Sequence, residues 1–242
     1  MDEISALRKE LDEVKFELER VRAYNECQNT IDKYTYYFTA GCFKEICELF
    51  ANRDDSSVEM AWGTYVGYEG IKACYLGFHT DGEEKRNIPG LLTIHTMVTP
   101  VIEVAGDGKT ARGVFYSPGI ETVVLDNGKP QCRWCWIKYG ADFIKENGKW
   151  YLWHFATFGT FMCDFYKSWG DESLSSGPAR DLEKLWKELP AEWLPTEPIT
   201  HADWTYKVDE MPPLDLVPPE PYQTFDDVGY NLCCPTAVTK KA

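Results

Sequence analysis

The stretch from Leu91 to Phe165, LLTIHTMVTPVIEVAGDGKTARGVFYSPGIETVVLDNGKPQCRWCWIKYGADFIKENGKWYLWHFATFGTFMCDF, alternates long apolar runs with three short polar interruptions. The interruptions are AGDGK at 105–109, LDNGK at 125–129 and KENGK at 145–149. Each contains Asp-Gly or Asn-Gly, dipeptides that accept the positive φ angles of tight hairpins at low cost. The runs between them are rich in β-branched and aromatic residues. They predict a four-strand antiparallel meander over 91–104, 110–125, 132–144 and 150–165. Pro100 and the triplet Ser117-Pro118-Gly119 predict bends or bulges, which help long strands curl.

Upstream of the meander the periodicity is helical. Ile4, Leu7, Leu11, Val14, Leu18 and Val21 follow a 3-4-3-4-3 spacing on a highly charged segment. That is the a/d seam of a short coiled coil between subunits, or of a helix laid on the domain. A second helical pattern runs from Ala23 to Phe50, broken by Gly41 and resumed as FKEICELF. VEMAWGTYVG then reads as strand, glycine kink, strand, and YEGIKACYLGFH as a helix begun after Gly67. Helices followed by a bent antiparallel sheet make the class α+β.

Beyond Tyr166 the texture changes. SWGDESLSSGPA predicts a loop, DLEKLWKELPAEW a short helix, and the remainder is Pro-rich, as in EMPPLDLVPPEPYQTF. Such a segment has no period from which to build its own core. Trp204, Tyr206, Leu214, Leu216, Tyr222 and Phe225 give it apolar residues to bury, so it is expected to wrap the domain or a neighbouring subunit as an extended arm. The organisation expected is an N-terminal amphipathic helix over 1–22, the main domain over 23–165 and the C-terminal loop, helix and arm over 166–242.

Composition narrows the function. The chain has 242 residues, 44% of them hydrophobic and 14% aromatic, enough for a proper core and for an aromatic-lined pocket. A formal net charge of −14 disfavours polyanions, so nucleic acid is not expected as a partner. The acidic N-terminus and the lack of a long apolar run predict no membrane span and a cytoplasmic protein. Nine cysteines without framework spacing read as reduced thiols. Cys132 and Cys135 form a C-x-x-C, but residues three apart on a strand face opposite sides, and no metal site is expected. Phosphate-binding, dinucleotide-binding, nucleophile-elbow and zinc-protease motifs are all missing.

Candidate chemistry rests on histidines and tyrosines. His95 and His154 fall inside predicted strands between apolar residues, whereas His79 and His201 fall in polar loops. A strand imidazole in apolar company needs a hydrogen-bond partner or a wet cavity. Strand alternation puts Leu91, Thr93, His95 and Met97 on one face, and Trp150, Leu152 and His154 on one face of the last strand. If a curled sheet turns both faces inward, the two histidines converge on one pocket. Otherwise each is a core histidine bonded to Ser, Thr or backbone. In KYTYYF, Tyr34 and Tyr37 share a helix side with Phe38 beside them, and a buried phenol can donate to a developing oxyanion. Asp32, Tyr116, Glu121, Lys138 and Arg133 are weaker polar candidates.

The order of DKYTYYFTAGCFKEICELFA, VEMAWGTYVGYEGIKACY, IHTMVTPVIEVAGDGKTARGVFYSPG and NGKWYLWHF resembles the SnoaL-like branch of the NTF2-like superfamily, over roughly residues 23–165. The resemblance implies a curved sheet cupping a cone-shaped pocket closed by helices. It also implies association through the outer sheet face, as a dimer or trimer. Members include polyketide cyclases, ketosteroid isomerase-like enzymes and dehydratases, which work without cofactors by acid/base chemistry. By position His95 matches the family's strand histidine and Tyr34 its helix tyrosine, but the acidic partner five residues on falls on Thr39, which has no carboxylate. The extended form, with WYLWHF and the Pro-rich tail, looks most like the lignin-diarylpropane (γ-formaldehyde) lyases.

The expectation is a cofactor-independent lyase acting on a hydrophobic, aromatic or polycyclic hydroxylated small molecule. It would eliminate water or lose formaldehyde by a retro-aldol step. His95, Tyr34 and His154 are the expected catalytic residues, and Tyr37, Trp62, Tyr116, Phe38, Met97 and Trp136 the substrate-binding ones. An isomerase or cyclase would need a carboxylate base, Asp32 or Glu121, in the pocket. A non-catalytic binding module would keep the histidines apart or fully bonded.

Overall fold

The computed structural model describes residues 3–125, 127–171, 187–201 and 204–228. Helix α1 runs unbroken from Glu3 to Ala40, so the two helical patterns read around residues 22 and 23 are one helix. Its C-terminal half buries Ala23, Cys27, Thr30, Ile31 and Tyr34, one stripe at helical spacing. Gly41 ends it with φ +68°, its amide donating to Phe38 O (3.1 Å) while Cys42 N donates to Tyr37 O (2.9 Å). This pair of bonds is a Schellman stop, which glycine favours because it has no Cβ to oppose left-handed φ. The N-terminal half is different: Ile4 to Val21 stay exposed along the seam and are not laid on the domain.

Short α2 (Phe43–Cys47) leads to strands β1 (Ser57–Met60) and β2 (Gly63–Val66), then α3 (Gly67–Lys72), which continues as a π-helical turn over Ala73–Phe78. The meander follows as β3 (Leu92–His95), β4 (Val98–Val104), β5 (Thr110–Val124), β6 (Pro130–Glu146) and β7 (Lys149–Asp164). One seven-stranded sheet results, in the order β2-β1-β7-β6-β5-β3, with β4 also paired to β5. All pairs are antiparallel except β1 with β7, so the curved sheet is mixed. The turn at Asn147-Gly148 has both residues at positive φ (50° and 79°), as the dipeptide predicts.

The first predicted meander strand is two strands. It breaks at Thr96–Met97, and β4 shifts register between Val98 and Val101, where Thr99 adopts φ +55° before Pro100. Opposite that break lies Pro118 of β5, whose missing amide has no neighbouring strand to serve. Pairing of β5 with β6 runs through Ser117-Pro118-Gly119 without interruption. The bulges lie in β7 instead. Asp142 and Phe143 of β6 face His154 and Leu152, leaving Trp153 as an extra residue, and Thr160 is extra in the same way.

Concave-side residues of the long strands meet α1, α2 and α3 in the main core. The C-terminal segment wraps its own domain. Thr196 and Glu197 bond the backbone of Thr64 at the β2 edge, and Tyr206 N donates to Thr160 O. Leu216 packs with Val114, Ala156 and Phe158 on the outer face. Tyr222 is buried, whereas Leu214 stays exposed. Residues 172–179 of the predicted loop and 181–186 of the predicted helix over 181–193 lie outside the described residues; Ala191–Trp193 form a single 3-10 turn. Among the described residues no helix is long and apolar enough to cross a membrane.

Candidate active site

The concave face and the helices over it enclose a cavity of about 740 Å³. Helix α1 contributes Tyr34 and Phe38, β1 contributes Met60, and the β1–β2 turn contributes Ala61 and Trp62. His79 enters from the end of the π-helical turn, Arg86 and Leu91 from the following loop, and Thr157 from β7. Inward positions of the meander complete it: Thr93 and His95 of β3, Glu121 and Val123 of β5, and Cys135, Ile137 and Tyr139 of β6. A volume of this size accommodates a ligand of two or more rings.

One end of the cavity holds an imidazole–carboxylate pair. His95 Nε2 lies 3.3 Å from Glu121 Oε1; the imidazole is 5% exposed and the carboxylate side chain 25%. Nδ1 of His95 is buried and has no hydrogen-bond partner among the described residues. The ring packs close to residue 119, where only glycine leaves room for it. A Cβ there would stand 2.6 Å from Nδ1 and 2.7 Å from Ile94 O. Phe38 and Tyr139 edge onto the same ring, at centroid distances of 6.1 and 6.5 Å.

Tyr34 stands nearby as a neutral phenol. Burial raises its pKa, only partly offset by the hydrogen bond from Tyr75. Tyr75 Oη donates to Tyr34 Oη at 3.2 Å, which leaves the Tyr34 proton to be offered to a ligand. Burial likewise raises Tyr75 and Tyr139. The site therefore offers hydroxyl donors and one carboxylate–imidazole pair in otherwise aromatic surroundings, which suits proton transfer and oxyanion stabilisation.

A family model for the SnoaL-like domain matches residues 19–156, more than half of the chain and most of the sheet that forms the cavity. The chain belongs to the SnoaL-like family. Among solved structures, LinA superposes on this SnoaL-like chain with TM-score 0.52 at 14% identity, covering 63% of this chain and 96% of LinA. The hexachlorocyclohexane dehydrochlorinase LinA Type2 gives 0.52 at 14% identity over 63% and 95%. A Novosphingobium aromaticivorans protein provisionally assigned as a scytalone dehydratase gives 0.49 at 15% identity over 67% and 98%. The LinA likeness shows a shared fold. A search of curated proteins finds no match.

On this SnoaL-like cone the residues expected from sequence fall in three places. His95, Tyr34, Phe38 and Trp62 line the cavity, with Trp62 stacked on Phe78 (4.7 Å). Tyr37 and Met97 pack against the core beside it without lining it. Tyr116 and Trp136 lie on the outer face, half-exposed, because β5 and β6 turn their neighbours Phe115 and Ile137 inward. Trp136 stacks on Phe161 there.

His154 is also outside. Trp153, the extra residue of the bulge, inverts the strand's alternation, so Leu152 and Phe155 face the core and His154 faces out. Its Nδ1 contacts Asp142 Oδ2 at 2.9 Å and its Nε2 contacts Asp55 O at 3.1 Å. Arg112 Nε lies 3.2 Å from the second Asp142 oxygen, and Phe225 of the arm covers the guanidinium. The convergence of two histidines expected from strand alternation does not occur.

Among the weaker candidates, only Glu121 reaches the cavity. Asp32 accepts from Gln28 on α1, burial raising its pKa against that bond. Lys138 pairs with Asp215 of the arm, and Arg133 donates to Gln131. Two further polar residues were not legible. His79, placed in a loop by sequence, donates Nδ1–H to Cys74 O (2.8 Å) and stacks among Phe43, Tyr75 and Trp62 at the cavity wall. Its signal was aromatic crowding, YLGFH, and its place follows from the π-helical turn. Cys135 faces the cavity while Cys132 lies on the exposed side, and among the described residues His95, Glu121 and Cys135 form a trio of ligand atoms within 4.8 Å. That imidazole, carboxylate and thiol set could hold a divalent ion.

Proposed function

We propose that this protein is a lyase that uses its own side chains for general acid/base chemistry on a hydrophobic, hydroxylated aromatic or polycyclic molecule. The observation that carries the reading is the His95–Glu121 pair, 3.3 Å apart, at the end of an aromatic cavity of about 740 Å³ that Tyr34 also lines. His95 takes a proton from a substrate hydroxyl or an acidified carbon. Glu121 stabilises the resulting imidazolium, which removes the need for the carboxylate missing at Thr39. Tyr34, backed by Tyr75, donates to the oxygen that gains charge or departs. Each well-placed group of this kind is worth about 10²–10⁴-fold. Loss of water and retro-aldol loss of formaldehyde both use this equipment.

A second reading has Glu121 itself as the base, as an isomerase or cyclase requires. The cavity-facing carboxylate favours it, together with the sealed Nδ1 of His95. The experiment is a screen of aromatic diols and hydroxylated polycycles for released formaldehyde, water loss or rearrangement, repeated with His95→Ala and Glu121→Gln. The lyase reading expects product release that collapses in His95→Ala and persists at a reduced level in Glu121→Gln. Rearrangement lost chiefly in Glu121→Gln supports the second. Full turnover in both variants overturns both.

A further inference from the structure

The N-terminal half of α1 carries an apolar face that stays exposed among the described residues. The domain holds the opposite side of the helix. Phe16 lies against Gly108, Arg20 Nη2 donates to Val104 O (3.1 Å), and Ala23 and Cys27 are buried. Ile4 to Val21 along the seam remain 48% to 61% exposed. A helical extension about 30 Å long with no packing on its apolar stripe is marginal in water. Something covers the stripe.

The charges beside the stripe say what. With Ile4, Leu11 and Leu18 at a and Leu7, Val14 and Val21 at d, the g positions are Glu3, Glu10 and Glu17. The e positions are Arg8, Lys15 and Arg22. Every g is acidic and every e basic. In a parallel, in-register pair each g faces the e of the next heptad on the neighbour, so Glu3 meets Arg8, Glu10 meets Lys15 and Glu17 meets Arg22. An antiparallel pair would set g against g and e against e, which is acid on acid and base on base. The next a position is Asn25, exposed, with its amide turned back to Val21 O (3.1 Å). A polar residue at a ends the apolar seam and penalises a slipped register.

We infer that the occupant is a second copy of this chain, joined through a parallel, in-register coiled coil of residues 4–21. Leu at a with Val at d also admits more than two helices, so sedimentation of the full chain counts the copies. The outer sheet face offers a separate place to associate, so seam pairing is read locally, by amide exchange over residues 4–21 in the full-length protein. The wild type is expected to show protection there that rises with protein concentration. Leu11→Asp with Leu18→Asp is expected to abolish it while leaving β6 and β7 protected, which shows that the domain is still folded. Protection that survives the double substitution, or that is missing from the wild type at micromolar concentration, overturns the proposal.

Orientation has its own test. A variant with all six e and g charges reversed (E3K, R8E, E10K, K15E, E17K, R22E) keeps its own parallel pairing but repels the wild-type seam. Equal mixing is expected to give no mixed protection between the two chains. Mixed pairing would mean an antiparallel seam and overturn the assignment.

Discussion

The two faces of the sheet carry the same chemical pair in opposite states. Inside, His95 meets Glu121 at 3.3 Å, with one ring nitrogen lacking a hydrogen-bond partner among the described residues and the carboxylate open to the cavity. Outside, His154 meets Asp142 at 2.9 Å, its second nitrogen is bonded to Asp55 O, and Arg112 lies against the same carboxylate under Phe225. His201 of the arm, 2.5 Å from Glu59 and stacked on Phe158, is a third pair and also belongs to the outer face. A histidine–carboxylate pair is therefore no signature of chemistry by itself. Covered by the arm, it ties strands and arm together; set beside a cavity with its carboxylate open, it has capacity for a ligand.

The largest effect expected, and the most direct way to break this contrast, is His95→Ala. Turnover should fall by about 10²–10⁴-fold, equivalent to roughly 3–5 kcal/mol in the barrier, with little change in melting temperature. A variant that melts early yet turns over normally would move His95 to the structural side. Asp142→Ala should do the reverse. It strands Arg112 and His154 in a buried site, and urea denaturation should show a loss on the order of 3–5 kcal/mol while folded molecules keep their activity.

Gly119→Ala sharpens the contrast from within. Its Cβ meets the His95 ring and two backbone carbonyls, so a cost of about 1–3 kcal/mol is expected, together with a drop in turnover that a structural glycine elsewhere would not cause. Acid should act chiefly on the outer pair of the arm. Burial opposes ionisation of Glu59, but His201 and Thr200 outweigh it and hold the pKa below the ordinary 4.5. A carboxylate so lowered stabilises the folded state above that ordinary value, and the contribution is lost as pH falls through the folded one. Amide exchange over residues 196–201 should therefore rise below about pH 4, and Glu59→Gln should already show the rise at pH 7. Smallest of all, Tyr116→Phe on the exposed outer face should leave turnover and stability unchanged within about twofold.

Much of the architecture was legible because it is local. Asn147-Gly148 turns where it does for reasons held within the dipeptide, and Gly41 stops α1 by its own φ. The inward residues of β6 follow simple alternation. The site was legible only in part. His95 and Tyr34 stood in regular segments and could be placed; Glu121 drew little notice because nothing local marks which face of β5 will be concave. His154 was misplaced by one residue of bulge, since a single insertion inverts every side chain beyond it.

The sequence by itself determined the α+β class, the meander and its turns, and the charge code of the N-terminal seam, because each is a matter of local conformational preference or of periodicity along one element. The tertiary structure alone decided that α1 is a single helix, that β1 runs parallel to β7, and which histidine faces the cavity. Those outcomes depend on register between strands distant in the chain, and register is set by the summed packing of both faces rather than by any residue taken alone.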